Sequence, residues 1–432
     1  MDNGIAPNAK KLLWAGFFTI AASGVGFGVR AGILSDWGAQ FGFTKTTLGS
    51  ITGGGLTGFG VVIILCSLFL DRIGYKPLMV FAFLCHVLSI VLTLVATPVH
   101  VRFGPDATYQ CLFWGMFLFA VGNGACEAVV NPLTATLFPR QKTHYLNILH
   151  AGWPGGLVAG SLATYFLTGH VRWEFQMCLF LIPTALYGFM MLPERFPEPE
   201  VKRAGVTFGE SLAQFASPIL LLLLLLHAMV GYVELGTDSW ISNITGEILE
   251  DPRKGLLLFV YTSALMFALR FFAGPIVHRI SPLGLLFVCS LLGAAGLVLL
   301  GNVKTGAIMM CVLAATVYAL GKTFYWPTML AVVSERFPKG GALTIGAMGG
   351  VGMLSAGLLG GPAIGYKQDY AATEHLKEIA PGTYVQYVSD QKRGLYGLVP
   401  EIAGLDGSKV AAVTDNGAQL RTDMENLAKA GK

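Results

Sequence analysis

The residues with the clearest potential for chemistry are ionisable side chains inside long apolar segments. The stretch AVGNGACEAVVNPLTATLFP, residues 120–139, carries Glu127 one helical turn before Asn131 and Pro132. Four more such side chains lie in comparable segments: Arg30, Glu234, Asp238 and Lys322. Because an ionisable group at bilayer depth costs at least about 2.5 to 3.5 kcal/mol to insert, such groups tend to face a polar cavity and to serve a function.

Glu127 is the first candidate for a site that exchanges protons. A carboxyl group in apolar surroundings favours its neutral form and an approaching cation favours its charged form, so the group can act as a switch. Glu234 is the second candidate. It lies one helical turn before Asp238, so the two carboxyls share a helix face and would repel each other if both faced a pore.

Arg30 keeps its charge, so it would act as a permanent ion-pair partner or hydrogen-bond donor. At about 1.5 Å per residue, Arg30 lies roughly 27 Å from the beginning of its helix, and Glu127 roughly 15 Å from the same side of the bilayer. A direct pair is therefore difficult, and the two groups would couple through solute, water or a helix break. The alternative is a static ion pair that only holds helices together.

These side chains belong to a chain with the composition of a membrane protein. Of its 432 residues, 54% are hydrophobic and 12% are charged, whereas soluble proteins have about 25% charged residues. Segments near the length of about 20 apolar residues that crosses a bilayer recur along the chain. We predict eleven spans, at residues 12–35, 46–70, 78–97, 108–137, 147–170, 173–192, 215–243, 254–278, 283–302, 305–335 and 341–366.

Several function classes are excluded by composition and motifs. A net charge of +4 without a basic stripe indicates no nucleic-acid surface. The chain lacks the G-x-x-x-x-G-K-[ST] pattern of ATP sites, and it shows neither a nucleophile with its base nor a set of metal ligands. We therefore expect no enzyme, no metal and no other cofactor. The seven scattered cysteines indicate small buried hydrophobes, and we expect packed or hydrogen-bonded roles for the lone histidines His86, His150 and His227.

The chain contains an internal repeat. Asp71-Arg72 follows the second span where His278-Arg279 follows the eighth, and NPLTATLFPRQ after span 4 matches WPTMLAVVSERFPK after span 10. A proline-rich polar stretch, residues 193–214, separates the copies. Polar turns and Phe-Pro helix ends that recur at matching places predict a duplicated six-helix unit. Glycine-rich stretches in spans 2 and 11 predict close helix contacts, either as sliding surfaces or as static packing.

The predicted arrangement is an N-terminal bundle at 1–192, a cytoplasmic linker at 193–214, a C-terminal bundle at 215–366 and a polar tail at 367–432. Loops on the side of the N-terminus carry about twice as many Lys and Arg residues as the opposite loops, which predicts a cytoplasmic N-terminus. The repeat predicts a twelfth span, but the tail has no apolar run of sufficient length. A chain truncated before its last helix is the simpler account.

Two stretches resemble a known superfamily. LFLDRIGYKP resembles the loop signature G-x-x-x-D-R-x-G-R-K of the major facilitator superfamily, with Asp71, Arg72, Gly74 and Lys76 at matching positions. EAVVNPLTATLFPRQKTHYLNILHAGWPGG resembles the fucose and proton symporter family, whose fourth helix carries E-x-x-x-N-P. The first helix departs from that family, whose fucose transporters carry an acidic residue near its outer end. Here Arg30 occupies the middle of that motif and Asp36 lies at its edge.

The resemblance implies an all-helical membrane protein of two six-helix bundles around a cavity lined by spans 1, 4, 7 and 10. The five ionisable side chains lie on those four spans, which favours a polar central pathway. The signature loop would help to close the inner face, together with Arg270 and Arg279. The resemblance also implies a multi-pass protein of the inner cell membrane, and we expect a monomer.

We expect a wall for solute binding on these spans. YALGKTFYWPTM places Lys322 close to Tyr325 and Trp326, and sugars stack on aromatic faces while charged or amide groups bind their hydroxyls. Asn131, Asp238, Arg30 and Trp240 are further candidates. The alternatives are a simple kink at Pro132 and lipid or helix packing of the aromatics.

The leading hypothesis is a secondary transporter of a small polar solute, most similar to sugar symporters, with a proton coupled through Glu127. An organic-anion or nitrate-like porter would instead use the charges of Arg30 and Lys322. A sensor of the same fold that binds solute without moving it is a third possibility.

Overall fold

The structure is a computed structural model that describes residues 6–43, 48, 51–52, 55–379, 381–393 and 399–405, with side chains at 35, 39 and 389–393 left undescribed. The chain separates into two compact units, Met1–Gly357 and Leu358–Lys432. Residues 406–432 of the predicted polar tail lie outside the described residues, as do Gly49, Gly53 and Gly54 of the glycine-rich stretch in span 2.

The first six spans are helical. They comprise Ala9–Phe41, Gly55–Ile73, Tyr75–Leu94, Pro105–Leu137, Lys142–Leu167, and a sixth span in two pieces, Trp173–Cys178 and Leu181–Met191. A short helix, Ala96–Phe103, connects spans 3 and 4. The linker contains the helices Glu200–Arg203 and Phe208–Ala213, the second of which begins with a capping box between Thr207 and Glu210.

Spans 7 to 11 are interrupted more often. Span 7 is Pro218–Gly231 and Thr237–Ile248, joined by the π-helical turn Tyr232–Gly236. Span 8 is Pro252–Arg270 and continues into the helix Ala273–Gly301, which bends at Ser281 where span 9 begins. Span 10 is Ile308–Lys322 and Tyr325–Arg336. Span 11 begins as Gly341–Leu354 and a π-helical segment, Ser355–Gly360.

The second unit contains the helices Gly361–Ile379 and Pro381–Tyr387 and two short antiparallel strands, Val388–Arg393 and Ile402–Leu405. Tyr366 donates a hydrogen bond to the carbonyl of Pro400, 2.9 Å away.

Nine helices among the described residues are long and apolar enough to cross a membrane. The helices Lys142–Leu167 and Pro252–Arg270 are also long enough, at 26 and 19 residues, but they are not among these nine because they are less apolar. All eleven predicted segments are mainly helical over their described residues. The predicted all-helical membrane architecture is confirmed.

Matching positions of the two halves have matching backbone angles. Gly74, which ends span 2, has φ 87° and ψ 170°, and Ser281, which ends span 8, has φ 63° and ψ 163°. The two Phe-Pro exits also agree, because Phe138 has φ −128° and ψ 61° and Phe337 has φ −126° and ψ 61°. The turns and Phe-Pro exits that recur in the sequence therefore have the same backbone geometry in both halves.

The two halves meet where span 2 packs against span 11 and where span 5 packs against spans 8 and 10. Spans 2 and 11 approach closely at glycines: a Cβ on Gly346 would overlap the Ser67 side chain, and one on Gly60 would lie 2.9 Å from the carbonyl oxygen of Gly350. This confirms the predicted close packing of the glycine-rich stretches. Span 5 meets spans 8 and 10 through hydrogen bonds at its first three turns. Lys142 and Asn147 donate to span 10, whereas His144 Nδ1 and the His150 carbonyl accept from span 8.

Candidate functional site

Glu127 lies in a hydrogen-bonded cluster between spans 4 and 5. It is 4% exposed, and Asn131, one helical turn further along, donates through Nδ2 to its Oε2 at 2.5 Å. His150 lies 2.8 Å from Asn131 Oδ1 through Nε2, and the same nitrogen is 3.9 Å from Glu127 Oε2. Because an amide oxygen can only accept, His150 carries its proton on Nε2.

Glu234 lies in a second cluster, formed by spans 7, 8 and 10. Arg270 donates through Nη2 to Glu234 Oε1 at 3.0 Å, and the main-chain N–H of Trp326 donates to Oε2 at 3.3 Å. Arg270 also donates through Nε to the carbonyl of Thr323, 2.8 Å away. That carbonyl is available because the residue four positions further along is Pro327, which has no N–H to donate.

Arg270, which is predicted to help close the inner face, lies in the interior and not in a loop. The residue is 1% exposed and pairs with Glu234 in the interior. A continuous span over 254–278 puts Arg270 near the loop, but the helix that carries it ends at Arg270 itself. The guanidinium is therefore free to reach spans 5, 7 and 10.

The two clusters are connected across the halves. Arg270 Nη1 donates to the main-chain carbonyl of His150 at 2.6 Å, so one guanidinium contacts both Glu234 and the residue whose side chain faces Glu127. The arrangement links two buried carboxyl groups, one from each half, through His150 and Arg270. Protonation of either carboxyl can alter the hydrogen bonds that hold the halves together.

Asp238 and Lys322 form a separate ion pair. Their side chains are in direct contact, with 12% exposure for Asp238 and none for Lys322. The Lys322 ammonium also lies 5.2 Å from the ring centroid of Tyr318, whose hydroxyl donates to the carbonyl of Val233. Glu234 and Asp238, the two carboxyls one helical turn apart, are thus each paired with a cation of their own, Arg270 and Lys322.

The predicted aromatic wall is dispersed. Tyr325 points toward span 9, where its hydroxyl donates to the carbonyl of Cys289 at 2.9 Å. Trp326 packs against His227, with ring centroids 4.5 Å apart and the ring planes tilted by 54°. Trp240 is half-buried in the helix Thr237–Ile248. The structure therefore does not gather Lys322, Tyr325 and Trp326 on one surface, although Trp326 adjoins Glu234.

Arg30 lies apart from Glu127, inside the first half. Its guanidinium covers the ring of Phe119 at 3.9 Å, donates to Ser89 Oγ at 3.0 Å and to the carbonyl of Gly26 at 3.3 Å. The ion pairs of the described residues do not include Arg30. A static Arg30–Glu127 pair is thus not observed, and the depth argument made from the sequence agrees with this result.

The residues of the signature loop lie at the end of the bundle where span 1 begins. Arg72 covers the ring of Phe208 in the linker at 5.2 Å, and Lys76 donates to the carbonyl of Glu194 at 3.3 Å. Asp71 is half-buried and Arg279 is exposed. At the same end, Lys142 donates to Ser334 Oγ at 3.0 Å and so ties span 5 to span 10.

The contacts that the first turns of span 5 make with the other half are not among the sequence predictions. His144, Asn147 and His150 follow one another at intervals of three residues, which places them on one helix face, and all three contact the other half. That spacing was the signal that could have identified them. Among the described residues, no group of three or more His, Cys, Asp or Glu side chains could hold a metal ion.

Comparison with known proteins identifies the family and the fold. The Major Facilitator Superfamily profile matches residues 16–361, and a search of curated protein sequences gives no match. The E. coli fucose:proton symporter FucP, in its outward conformation, has a TM-score of 0.67 at 17% identity, over 84% of this chain and 92% of that one.

Two other solved structures have the same fold. The proton:xylose symporter XylE, bound to 6-bromo-6-deoxy-D-glucose, has a TM-score of 0.62 at 12% identity, over 94% of this chain and 98% of that one. The human organic anion transporter MFSD10 has a TM-score of 0.62 at 13% identity, over 87% and 95%. Identities this low demonstrate the fold alone. Because the family profile extends over most of its length, the chain belongs to the Major Facilitator Superfamily.

Proposed function

We propose that this transporter moves a small polar solute, with sugars as the favoured class, by alternating access coupled to protons at Glu127 and Glu234. The observation that carries this proposal is the contact of Arg270 with both Glu234 and the carbonyl of His150. It connects a protonatable group to the contact between the halves. Coupled transport requires such a link, because a charge change must bias one conformation over the other.

Neutralising Glu234 weakens the ion pair with Arg270, whose remaining hydrogen bonds are to the carbonyls of His150 and Thr323. On the other side, a proton on Glu127 alters the hydrogen bonds of Asn131 and His150. Both events act on span 5, which supplies hydrogen bonds from the first half to spans 8 and 10. Protons would therefore adjust the same surface that must open for the solute to leave.

A polar solute is supported by the buried polar groups near this surface. Asn131, His150 and Trp326 combine hydrogen-bonding groups with aromatic faces, the combination that binds sugar hydroxyls and C–H groups. The similar structures FucP and XylE are named as fucose:proton and proton:xylose symporters. We therefore place a monosaccharide first among the solutes to test.

We further propose a monomer in the inner cell membrane with a cytoplasmic N-terminus, an N-terminal bundle at 1–192, a linker at 193–214 and a C-terminal bundle at 215–366. In this orientation the contacts of Lys142 with Ser334 and of His144 with Gly274 close the cytoplasmic end. The described conformation would then be closed toward the cytoplasm. Asp71, Arg72, Gly74, Lys76 and Arg279 would assist this closure.

A second candidate is an organic-anion porter, and Arg30 is the observation that favours it. This guanidinium is buried among the described residues without a carboxylate, and its Nε has no hydrogen-bond partner there. An anionic solute could provide the missing partner. The name of MFSD10, an organic anion transporter of similar fold, agrees with this candidate.

The test is uptake into proteoliposomes. Thermal-shift screening of the purified protein against neutral sugars, polyols and small organic anions identifies a solute, and its uptake is then measured with and without a proton gradient. Gradient-driven uptake of a sugar supports the proposal. Stabilisation by anions alone favours the second candidate, and binding without uptake indicates a sensor.

A further inference from the structure

Two buried rings of the last five spans lack hydrogen-bond partners. Both ring nitrogens of His227 and the indole Nε1 of Trp326 have no partner among the described residues, although His227 is 0% and Trp326 2% exposed. The two rings are in contact, with centroids 4.5 Å apart. Burying a polar nitrogen without a hydrogen bond costs free energy, and native proteins rarely do so. These three nitrogens are therefore available to a partner other than the described residues.

The pair adjoins the proposed proton site. The main-chain N–H of Trp326 donates to Glu234, and Trp326 directly follows the break in span 10. His227 lies in span 7 shortly before the π-helical turn Tyr232–Gly236. Broken helices and π-helical turns occur frequently at functional sites. Two such irregularities meet where the unpartnered nitrogens lie.

The packing leaves room for both rings at Gly352 of span 11. A Cβ at that position would lie 2.6 Å from the Trp326 ring and 2.9 Å from Cδ2 of His227. Only glycine allows span 11 to pass so close to the two rings without displacing them. Gly352 therefore fixes the position of both rings, and the contacts made there involve ring carbons and not the ring nitrogens.

We propose that His227 and Trp326 form a subsite that binds hydroxyl groups of the transported solute. A neutral imidazole offers one donor and one acceptor, and an indole offers a donor and an apolar face. A hydroxyl both donates and accepts, and the C–H groups beside it can stack on the indole. This subsite rests on the proposed function, and it assigns recognition of the solute to its hydroxyl groups. Both rings are buried in this conformation, so the solute reaches them when the broken segment of span 10 moves.

The first test compares the same substitution at two buried histidines. His227→Phe keeps the ring but removes the unpartnered nitrogens, so without solute the melting temperature should rise, by about 2 °C. His86 is the matched control, because its ring nitrogens bond to Tyr187 Oη at 2.8 Å and Asn123 Oδ1 at 3.0 Å. His86→Phe should lower the melting temperature. A fall in both variants overturns the proposal, because His227 would then have a structural partner such as a bound water.

The second test measures solute binding, with D-xylose and L-fucose as probes. His227→Phe and Trp326→Phe should each weaken binding of a probe that the wild type takes up by about tenfold, as expected for lost hydrogen bonds. Trp326→Phe introduces a smaller ring, so it tests the subsite even if His227→Phe overpacks. Unchanged affinity in both variants overturns the subsite and leaves the transporter proposal intact. A wild type that neither binds nor takes up a sugar overturns the proposed sugar transport and the hydroxyl-binding subsite together.

Discussion

Arg270 and His150 are joined by a 2.6 Å hydrogen bond from the guanidinium to a main-chain carbonyl, and this bond crosses between the two halves of the protein. Arg270 also pairs with Glu234, at 3.0 Å, while the His150 ring faces Asn131 and Glu127. Each carboxyl group therefore reaches the contact between the halves through no more than two other residues.

Removing Arg270 should destabilise the protein strongly. Arg270→Met leaves Glu234 buried without its cation, and the expected loss is about 3 to 5 kcal/mol in the free energy of unfolding. Denaturation of the purified protein in detergent measures it. Adding Glu234→Gln to Arg270→Met should recover part of the loss, because the uncompensated charge is then absent. Equal stability of wild type and Arg270→Met would contradict the buried pair.

Glu127→Gln should uncouple transport from protons. Glutamine keeps an oxygen that can accept the hydrogen bond from Asn131 but cannot release a proton. Gradient-driven uptake should fall to the level measured without a gradient, while solute exchange across the membrane at equal pH persists. Glu198, an exposed linker residue paired with Lys202, provides the control substitution Glu198→Gln. Unaltered dependence of uptake on pH in Glu127→Gln would exclude the proton role.

The Lys322–Asp238 pair should behave as a unit. Lys322→Met leaves the Asp238 carboxylate without its cation, and Asp238→Asn leaves the buried Lys322 ammonium without its carboxylate. Each variant should therefore lose about 3 kcal/mol in the free energy of unfolding, whereas the double variant should lose less than the sum. A double-mutant cycle of unfolding free energies measures the coupling. Additive losses would mean that the two charges do not depend on each other.

The contact between spans 2 and 11 should be sensitive to a single methyl group. Gly346→Ala places a Cβ where the Ser67 side chain lies, and overpacking of this kind costs about 1 to 3 kcal/mol. Ser67→Gly removes the atoms that collide, so the double variant should regain both the melting temperature and the uptake rate. If the double variant is no better than Gly346→Ala, the clash arises elsewhere.

Removing glycine from the turn after span 2 and introducing it into the turn after span 8 should change the melting temperature in opposite directions. Gly74 and Ser281 have similar angles with positive φ, in a region that is almost confined to glycine and costs other residues about 1 to 3 kcal/mol. Gly74→Ala should therefore lower the melting temperature and Ser281→Gly should raise it. The gain at Ser281 is reduced by loss of the bond from Gly284 N–H to its Oγ. A fall in both variants would show that strain is not the dominant effect.

Much of the fold follows from local features of the chain. Apolar length predicts the spans, and the turn residues predict their ends, as the positions of Gly74, Ser281, Phe138 and Phe337 demonstrate. Ionisable residues in apolar segments also identify Glu127, Glu234 and Lys322 as unusual. These features can be predicted because crossing a bilayer and ending a helix both depend on residues that are neighbours in sequence.

The partners of those ionisable residues are a property of helix packing. Arg270 reaches Glu234 and His150 because spans 8 and 10 break beside it, and Asp238 pairs with Lys322, which lies 84 residues further along the chain. Arg30 meets Phe119 instead of Glu127. Such contacts join residues distant in sequence, and a shift of one helix by a fraction of a turn would change them. The apolar character of single segments therefore identifies the charges as unusual, whereas the packing of helices against one another selects the partner of each charge.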